Sequence, residues 1–328
     1  MKISITMAKK PKLKRPIMIC AWPGMGDVAF RLAVYLKDKL KMEEFASLQA
    51  ADLFPPTGVW VDNSVIQLPV PGEGKFYYYK NKPGLSDLVV FISNAQPLLE
   101  LCGEYIWRIL SLGKELRIKR IFTFAAMPAP IDHTAEPGVL FSSTDKKIND
   151  ELESAKLGLR ALKSGQVSGL NGLMLGFAKE AGFEGVCFLA EIPLFALQME
   201  NPKASLAILK KLSSLLTITV DLSGLVDQAK FMEQEIEKII EFINNPEQQP
   251  PPPIGEDEID KIKKSLNLYT KLPQSAREKI EKLFGEVKNN VSKAGELKKE
   301  LDNWSVYKEY EDRFLDLFKK PKAESQNN

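Results

Sequence analysis

The chain has 328 residues, enough for one large domain or two with a sizeable core. Its 45 basic and 43 acidic residues leave a net charge of +2, so no overall positive field attracts nucleic acid or an anionic membrane surface. No apolar run reaches the roughly 18 residues that a transmembrane helix needs. The composition therefore predicts a protein that binds neither nucleic acid nor membrane.

The three cysteines and the single histidine lie far apart in the sequence and form no metal-ligand spacing. Cys20, Cys102 and Cys187 each lie within an apolar segment, which is typical of small buried residues in a reducing compartment. The sequence predicts a cytoplasmic protein with neither a metal nor a cofactor.

The first fifteen residues carry six lysines and arginines and no acid. They lack the apolar stretch of a signal peptide, so residues 1–15 are predicted to form a basic flexible tail. A buried strand is predicted over Pro16–Trp22. After a Pro-Gly turn, apolar residues at helical spacing predict a helix over Asp27–Leu40.

Between Leu53 and Lys80, short apolar runs separated by proline and glycine replace the alternation of strand and helix patterns. This composition indicates antiparallel strands. Val65–Val70 and Lys75–Tyr79 have the composition of strands, and Pro71–Gly74 between them has the residues of a turn. The pattern predicts a hairpin of these two strands at one edge of the sheet.

The stretch Gly165–Pro193 is predicted to be a helix-to-strand unit from the middle of a layered domain. After a turn of small residues, a helix spans Leu173–Ala181, and the apolar run Gly185–Ala190 predicts a strand covered on both faces. Gly172 and Gly176 are four residues apart and share one face of the helix. We expect this face to press closely against the sheet.

Strand and helix patterns alternate at least four times along the chain. This alternation predicts an α/β fold of three layers, α/β/α, around a mainly parallel sheet over residues 16–245. A Pro-rich linker with five prolines follows over residues 246–253. Residues 254–328 are highly charged with narrow apolar stripes, which predicts a C-terminal helical extension with too little core for an independent domain.

Two glycine-rich turns could bind a phosphate-like group. Gly24–Ala29 matches the pattern G-x-G-x-x-A, but Asp27 would place a carboxylate where a pyrophosphate binds. A tight strand-to-helix turn is therefore the favoured interpretation. The turn Gly165–Gly172 could hold an anion on its amides, although it lacks the Lys-Ser/Thr pair of a phosphate loop.

The candidate titratable residues favour structural roles. His133 lies in a proline-flanked loop without a serine in a nucleophile context. Glu191 follows a buried strand, where α/β folds place their sites, but a salt bridge is its commoner role. No nucleophile, base and orienting group can be named together, so no catalytic residue is predicted. The candidate cleft or interaction surface consists of residues next to predicted strand ends: Trp22, Pro23, Gly24, Met25, Gly26, Asp27, Asn94, His133, Ser168, Asn171, Gly172, Glu191 and Pro193.

Several short motifs, in matching order and spacing, resemble the proteasome-assembly-chaperone family in its archaeal and bacterial branch. They are Ala21–Gly26, His133–Thr134, Ser168–Leu173, Glu191–Pro193, Asn201–Ala204 and Val220–Leu222. The resemblance covers residues 16–245 and implies a three-layer domain similar to the phosphorylase/hydrolase-like group. It also implies self-association, and relatives in this family bind proteasome α-subunits or assembly intermediates.

Two features depart from the family pattern. Proteasome-docking relatives end in a hydrophobic-tyrosine-any tail, whereas this sequence ends with Glu324–Asn328. Ala135 stands where many relatives have an arginine. The resemblance therefore does not imply direct docking in the proteasome pocket.

The leading hypothesis is a non-enzymatic scaffold or assembly factor that forms homo-oligomers, with proteasome-type subunits or another protein complex as partners. The alternative is a phosphorylase/hydrolase-like enzyme or a small-molecule, nucleotide-like binding protein with a cleft at the strand ends. Titratable groups that converge in a deep cleft would favour the enzyme. A shallow apolar surface related by symmetry would favour the scaffold.

Overall fold

The computed structural model describes residues 3–49, 53–54, 58–68, 72–197, 199–244, 274–303 and 307–318. The chain divides into two compact units, Met1–Ile239 and Ile240–Asn328. The predicted linker, residues 246–253, lies outside the described residues.

Strands and helices alternate along the first unit. The described strands are β1 (Ser4–Met7), β2 (Ile17–Ala21), β3 (Glu43–Gln49), β4 (Trp60–Asp62), β5 (Val65–Gln67), β6 (Gly74–Tyr79), β7 (Leu88–Ser93), β8 (Arg120–Ala129), β9 (Val139–Ser143), β10 (Arg160–Ala161) and β11 (Glu184–Pro193). The described helices before the linker are α1 (Val28–Lys39), α2 (Cys102–Glu115), α3 (Lys146–Ser154), α4 (Gly169–Glu180), α5 (Pro202–Leu216) and α6 (Ser223–Asn244). No described helix combines the length and apolar character that crossing a membrane requires.

Nine of the described strands form one sheet in the order β1-β3-β6-β7-β2-β8-β11-β9-β10. The central strands β7, β2, β8 and β11 are parallel, whereas β6, β3 and β1 on one side and β9 on the other are each antiparallel to their inner neighbour. Strands β2 and β7 are buried along their whole length because helices cover both faces. The α/β fold predicted from the sequence is confirmed, and its parallel strands are concentrated in the middle of the sheet.

Two hydrophobic clusters, one on each face of the sheet, make up the core of the first unit. Alternate residues of β2 point to opposite faces, so Ile19 and Ala21 belong to one cluster and Cys20 and the following Trp22 to the other. Helices α1, α3, α5 and α6 cover the first cluster, and α2 and α4 cover the second. The sheet and its two covering layers form the predicted α/β/α arrangement.

The first residues do not form the flexible tail that their charge predicts. Ser4–Met7 is strand β1, paired antiparallel with β3, and the preceding Ile3 is buried. The physical reason is a period-two alternation, in which Ile3, Ile5 and Met7 pack on the second cluster between polar neighbours. Five of the six basic residues of this segment follow the strand, so their charges do not oppose its burial.

The predicted hairpin of Val65–Val70 with Lys75–Tyr79 is wrong. Strand β5 pairs with β4, through a two-residue loop in which Asn63 and Ser64 both have positive φ, 47° and 64°. Positive φ at both central residues is what a type I′ turn requires, and asparagine tolerates it well. Strand β6 instead lies in the main sheet between β3 and β7, so the ribbon β4–β5 is a separate two-stranded sheet.

Helix α4 faces the sheet with different residues from those its glycines predict. Gly176 is exposed, and a Cβ built there would meet no atom within 4 Å. Met174 and Ala178 face the sheet instead. The close approach is at Gly172, where a Cβ would lie 2.0 Å from the carbonyl oxygen of Val167. Gly172 therefore lets the preceding loop pack against the helix.

Three helices of the second unit are described: α7 (Gln274–Asn289), α8 (Ala294–Asn303) and α9 (Tyr307–Asp316). Their apolar stripes face one another, and the rings of Phe284 and Tyr310 stack with centroids 5.7 Å apart. The buried cluster consists of Ile280, Leu283, Phe284, Val287, Leu297, Leu301, Tyr310 and Phe314. The extension thus has more core than its charged sequence indicates, because three narrow stripes share one interior.

Replacing Gly176 with alanine should stabilise the protein by about 0.5–1 kcal/mol, because the methyl group has room and the helix loses an interior glycine. Gly172→Ala is the matched control on the same helix. We expect it to destabilise the protein, since its methyl group would collide with the carbonyl of Val167. Chemical denaturation measures both, and equal midpoints would contradict this assignment of the helix faces.

Candidate functional site

The candidate site lies where the central strands β2 and β8 separate. Their register comprises two pairs, Met18 with Ile121 and Ile19 with Phe122, whereas β8 continues to Ala129 alongside β11. Strand β7, the next parallel strand after β2 in the sequence, lies on one side of this pair, and β11 lies on the other. The gap between β2 and β8 is therefore the topological switch point, where open α/β sheets place their ligands.

A cleft of about 430 Å³ occupies this gap, and we name it the switch-point cleft. Its walls are the turn after β2 with Gly24 and Met25, the second half of β8 with Met127, and the loop before α4 with Val167 and Ser168. None of the described residues that line it carries a charge, and its polar side chains are amides and hydroxyls. The volume falls within the range of about 300–1,000 Å³ that small-molecule pockets occupy.

Asn171 lines this cleft and is held in place by the backbone of Trp22. The Trp22 amide donates to Oδ1 of Asn171 at 3.3 Å, and Nδ2 of Asn171 donates to the Trp22 carbonyl at 3.3 Å. The Trp22 indole is fully buried, and its Nε1 donates to the hydroxyl of Tyr105 at 3.2 Å. Trp22 was predicted to line the cleft, but its side chain belongs to the core because it continues the inward alternation of β2.

The turn from Gly24 to Asp27 is closed by hydrogen bonds within the protein. Gly26 and Asp27 have positive φ, 63° and 48°. The Asp27 amide donates to the Gly24 carbonyl at 2.8 Å, and the Gly26 amide donates to the Leu197 carbonyl at 3.4 Å. A pyrophosphate would need such amides free. Burial raises the pKa of the Asp27 carboxyl, although the charge of Arg31 opposes the shift.

His133 lies in a different part of the fold, where its loop meets α6. Its Nε2 donates to Oε2 of Glu237 at 2.7 Å, and its imidazole is buried. Nδ1 lies 3.5 Å from the carboxylate of Asp132. Pro193 lines the same small cavity, whose volume of about 20 Å³ leaves space for one water molecule. This geometry ties a loop to a helix and gives a substrate no access to the imidazole.

Helix α5 also holds the loop that contains His133. Lys203 Nζ donates to the Thr134 carbonyl at 2.6 Å and to Oε2 of Glu233 at 2.6 Å. Burial opposes ionisation of the nearby Asp132, but two hydrogen bonds from Thr134, together with the charge of Lys203, lower the pKa of this carboxyl. The charged groups around His133 therefore act as ties between elements.

The carboxylate of Glu191 forms an ion pair with a neighbouring arginine. Arg160 Nη2 donates to one carboxylate oxygen at 2.6 Å, and the Gly138 amide donates to the other at 2.9 Å. The side chain of Glu191 is only 16% exposed. It joins β11 to the strands beyond it in the sheet and does not line the switch-point cleft.

The structure brings together four of the predicted site residues and separates the rest. Gly24, Met25, Ser168 and Asn171 line the switch-point cleft, with Gly26 and Asp27 in the adjoining turn. Asn94 is used elsewhere, since its Oδ1 accepts from the Glu73 amide at 2.7 Å. Pro23 lies in the turn before Gly24, where its carbonyl accepts a hydrogen bond from Gln96. The remaining residues, Trp22, Gly172, His133, Glu191 and Pro193, have the separate roles described above.

Sequence reasoning missed two contributors to the cleft. Gln96 lines it and donates from Nε2 to the Pro23 carbonyl at 2.7 Å, which ties the loop after β7 to the turn after β2. The second half of β8 supplies Met127 and Pro128. The sequence of Arg120–Ala126 has the apolar character of a buried strand, but the proline that follows gives no signal that the strand continues to Ala129.

A second candidate site is an apolar surface on the ribbon β4–β5. Val61 pairs directly with Ile66, so their side chains share one face, and alternation places Val59 and Leu68 on the same face. These four aliphatic residues, which we name the hairpin face, are 52%, 65%, 69% and 74% exposed in sequence order. The opposite face carries Asp62 and Gln67 together with a single described aliphatic residue, Val65, which is 57% exposed. Exposed aliphatic side chains at such density mark a surface for protein contacts.

The fold and these surfaces define an α/β protein whose family can be named. A family model described as the PAC2 family matches residues 18–240. The match spans more than half of the sequence, and the chain belongs to this family. The resemblance to proteasome-assembly chaperones that the short motifs predict is thereby confirmed.

Three archaeal proteins are similar to this chain. An uncharacterised protein of Methanocaldococcus jannaschii is 30% identical over 233 residues, which are 70% of this chain and 85% of the relative. The crystal structure of Pyrococcus furiosus PbaB, an archaeal proteasome activator, is 26% identical with a TM-score of 0.62, over 72% of this chain and 98% of that one. Pyrococcus furiosus PbaA, an archaeal homolog of proteasome-assembly chaperone, is 22% identical with a TM-score of 0.56, over 73% and 97%, and shows the shared fold alone.

Replacing Asn171 with leucine should destabilise the protein by about 1–3 kcal/mol, because the buried amide and carbonyl of Trp22 lose their partners. Ser168→Ala, three residues earlier, is the control, since its hydroxyl makes no capping bond to α4. We expect a change below about 0.5 kcal/mol there. Urea denaturation of the two variants checks this, and an equal loss would show that Asn171 has no special role.

Proposed function

We propose that this protein is a non-enzymatic assembly factor that binds proteasome-type subunits or intermediates of their assembly, and that it associates with itself. Membership of the PAC2 family supports this proposal, as does the similarity to a proteasome activator. The proposed location is the cytoplasm. The buried free thiols of Cys20, Cys102 and Cys187 suit a reducing compartment.

The chemistry of the first unit favours binding over catalysis. A general acid or base must reach a substrate with a free titratable group. Glu191 is engaged by Arg160 and the buried His133 by Glu237, both outside the switch-point cleft. The cleft residues themselves, such as Ser168 and Asn171, are neutral, and no base lies among them to activate the serine.

The observation that carries the proposal is the hairpin face. A two-stranded ribbon is marginally stable in water by itself, and this one exposes four aliphatic side chains on one face. Burying such side chains yields about 2 kcal/mol each when complete, so covering the face contributes on the order of 5 kcal/mol before the entropic cost of association. A partner that presents apolar residues to this face would recover that energy.

The proposed partner surface is therefore apolar and becomes hidden when assembly is complete. Subunits of an oligomeric complex expose such surfaces only before they meet their neighbours. Binding at the hairpin face would cover such a surface and then release it to the next subunit. An assembly factor of this kind needs affinity and surface, and it needs no reacting group.

Binding of purified proteasome α-subunits to immobilised wild-type protein, followed by interferometry, tests the proposal. Ile66→Lys places a charge on the hairpin face and should weaken binding at least about tenfold, which corresponds to ~1.4 kcal/mol. Gln67→Lys introduces the same charge on the opposite face of the same strand and should leave the affinity within about threefold.

The identity of the partner and the surface that contacts it can each be contradicted separately. No binding of α-subunits or of their assembly intermediates by the wild-type protein would overturn the proposed partner. Binding that both lysine variants weaken equally would show that a charge anywhere on the ribbon is harmful, and that the hairpin face is not the contact surface.

The size of the switch-point cleft favours a second candidate function, the binding of a small uncharged molecule. Its volume of about 430 Å³ suits such a ligand, and its amides and hydroxyls could orient one. A thermal-shift screen of neutral compounds tests this function. Compounds that raise the Tm of the wild type but not of Ser164→Trp, which fills the cleft from an exposed loop position, would support it.

A further inference from the structure

Helix α2 exposes a large aromatic side chain on the outer surface of its layer. Trp107 is 41% exposed, although one side of its indole packs against Phe177 of α4 with ring centroids 5.8 Å apart. Leu173 of α4, one turn before Phe177, is also 41% exposed. Each of the two helices therefore exposes one large apolar side chain, and the indole lies at their contact.

Four residues of α2 and of the 3-10 turn Leu99–Leu101 that leads into it form a symmetrical pattern about Trp107. Gly103 and Ser111 each lie four residues away, and Glu100 and Lys114 each lie seven residues away, so all four share the face of the indole. Small residues thus flank the aromatic ring, and opposite charges stand at the two ends. Among these four residues, the order of side-chain sizes is the same in both directions along the helix, whereas the sign of the terminal charge is opposite.

We infer that α2 packs antiparallel against α2 of a second copy of this chain, around a twofold axis at Trp107. This inference rests on the self-association in the proposed function and names its surface. A twofold axis brings each residue opposite its mirror position in the pattern. Glu100 of each copy then faces Lys114 of the other, and Gly103 faces Ser111.

The charges at the two ends of the pattern favour a second copy of this chain as the partner. Within the described part of the chain, neither Glu100 nor Lys114 has an ion-pair partner, whereas Glu104 and Arg108 pair with each other and Glu115 pairs with Lys10. The two unpaired charges lie at opposite ends of α2, Glu100 in the turn before it and Lys114 in its last turn. A partner with one sign of charge would be repelled at one end, while an antiparallel copy satisfies both ends.

The glycine in the pattern is not required by packing within the chain. A Cβ built on Gly103 would lie 3.6 Å from the nearest ring atom of Phe177, an ordinary contact. A glycine inside a helix destabilises it, so the monomer alone does not explain this residue. Small side chains at Gly103 and Ser111 allow a second helix to approach closely and leave room for the two indoles.

A charge exchange tests the geometry in the full chain, with sedimentation velocity over a range of concentrations as the measurement. Glu100→Lys and Lys114→Glu should each raise the dimer Kd about tenfold, because each contact occurs twice across the axis. The double variant Glu100→Lys/Lys114→Glu restores opposite charges and should return the Kd to within about threefold of the wild type. Glu153→Lys on α3, in the opposite layer, is the control and should leave the Kd unchanged.

Trp107→Ser removes the centre of the surface and should raise the Kd by about a hundredfold or more. Its Tm at low protein concentration checks that the monomer still folds, which the exposure of the indole leads us to expect. A dimer that survives Trp107→Ser, or single charge variants that the exchange does not rescue, would overturn the inference and leave self-association through another surface.

A wild-type chain that stays monomeric at all concentrations would overturn both this inference and the self-association in the proposed function. Binding of α-subunits at the hairpin face is measured separately, with the variants of Ile66 and Gln67. The partner of the assembly factor is therefore tested independently of the dimer surface.

Discussion

The first unit depends on the pair of hydrogen bonds between the Asn171 side chain and the backbone of Trp22. They join the first turn of α4 to the end of β2 and satisfy polar groups that the buried indole would otherwise leave without partners. With Trp22 turned into the core, β2 ends while β8 continues beside β11. The switch-point cleft is the space that this early ending leaves.

The first unit uses the titratable side chains predicted for its site as ties between elements and leaves the switch-point cleft without a charge. Glu191 joins β11 to Arg160, and His133 joins a loop to α6. A paired charge with little exposure contributes to the geometry of the fold, but it is not available to a substrate. The cleft is therefore lined with amides, hydroxyls and apolar groups, which suits recognition better than proton transfer.

The two exposed apolar surfaces differ in the kind of contact that each suits. The hairpin face carries four aliphatic side chains without a symmetrical arrangement of charges, so it suits a partner of different sequence. The surface around Trp107 is symmetrical in size and inverted in charge, which suits an identical partner. One chain can thus support both self-association and the capture of other subunits, because the two contacts have different requirements.

The sequence by itself determined the strand β2 and the body of β11, the α/β class and the family, because long apolar runs and short motifs are local properties. It also predicted the residues of the turn after β2, which lie at the cleft. Only the tertiary structure decided that β5 pairs with β4, that Gly176 faces solvent, and that Arg160 occupies Glu191. Periodicity shows that a residue lies on an apolar or polar face, but it does not show what lies opposite. The pairing of strands and the ion pairs between side chains depend on residues that are far apart in the sequence. Only folding brings these residues together.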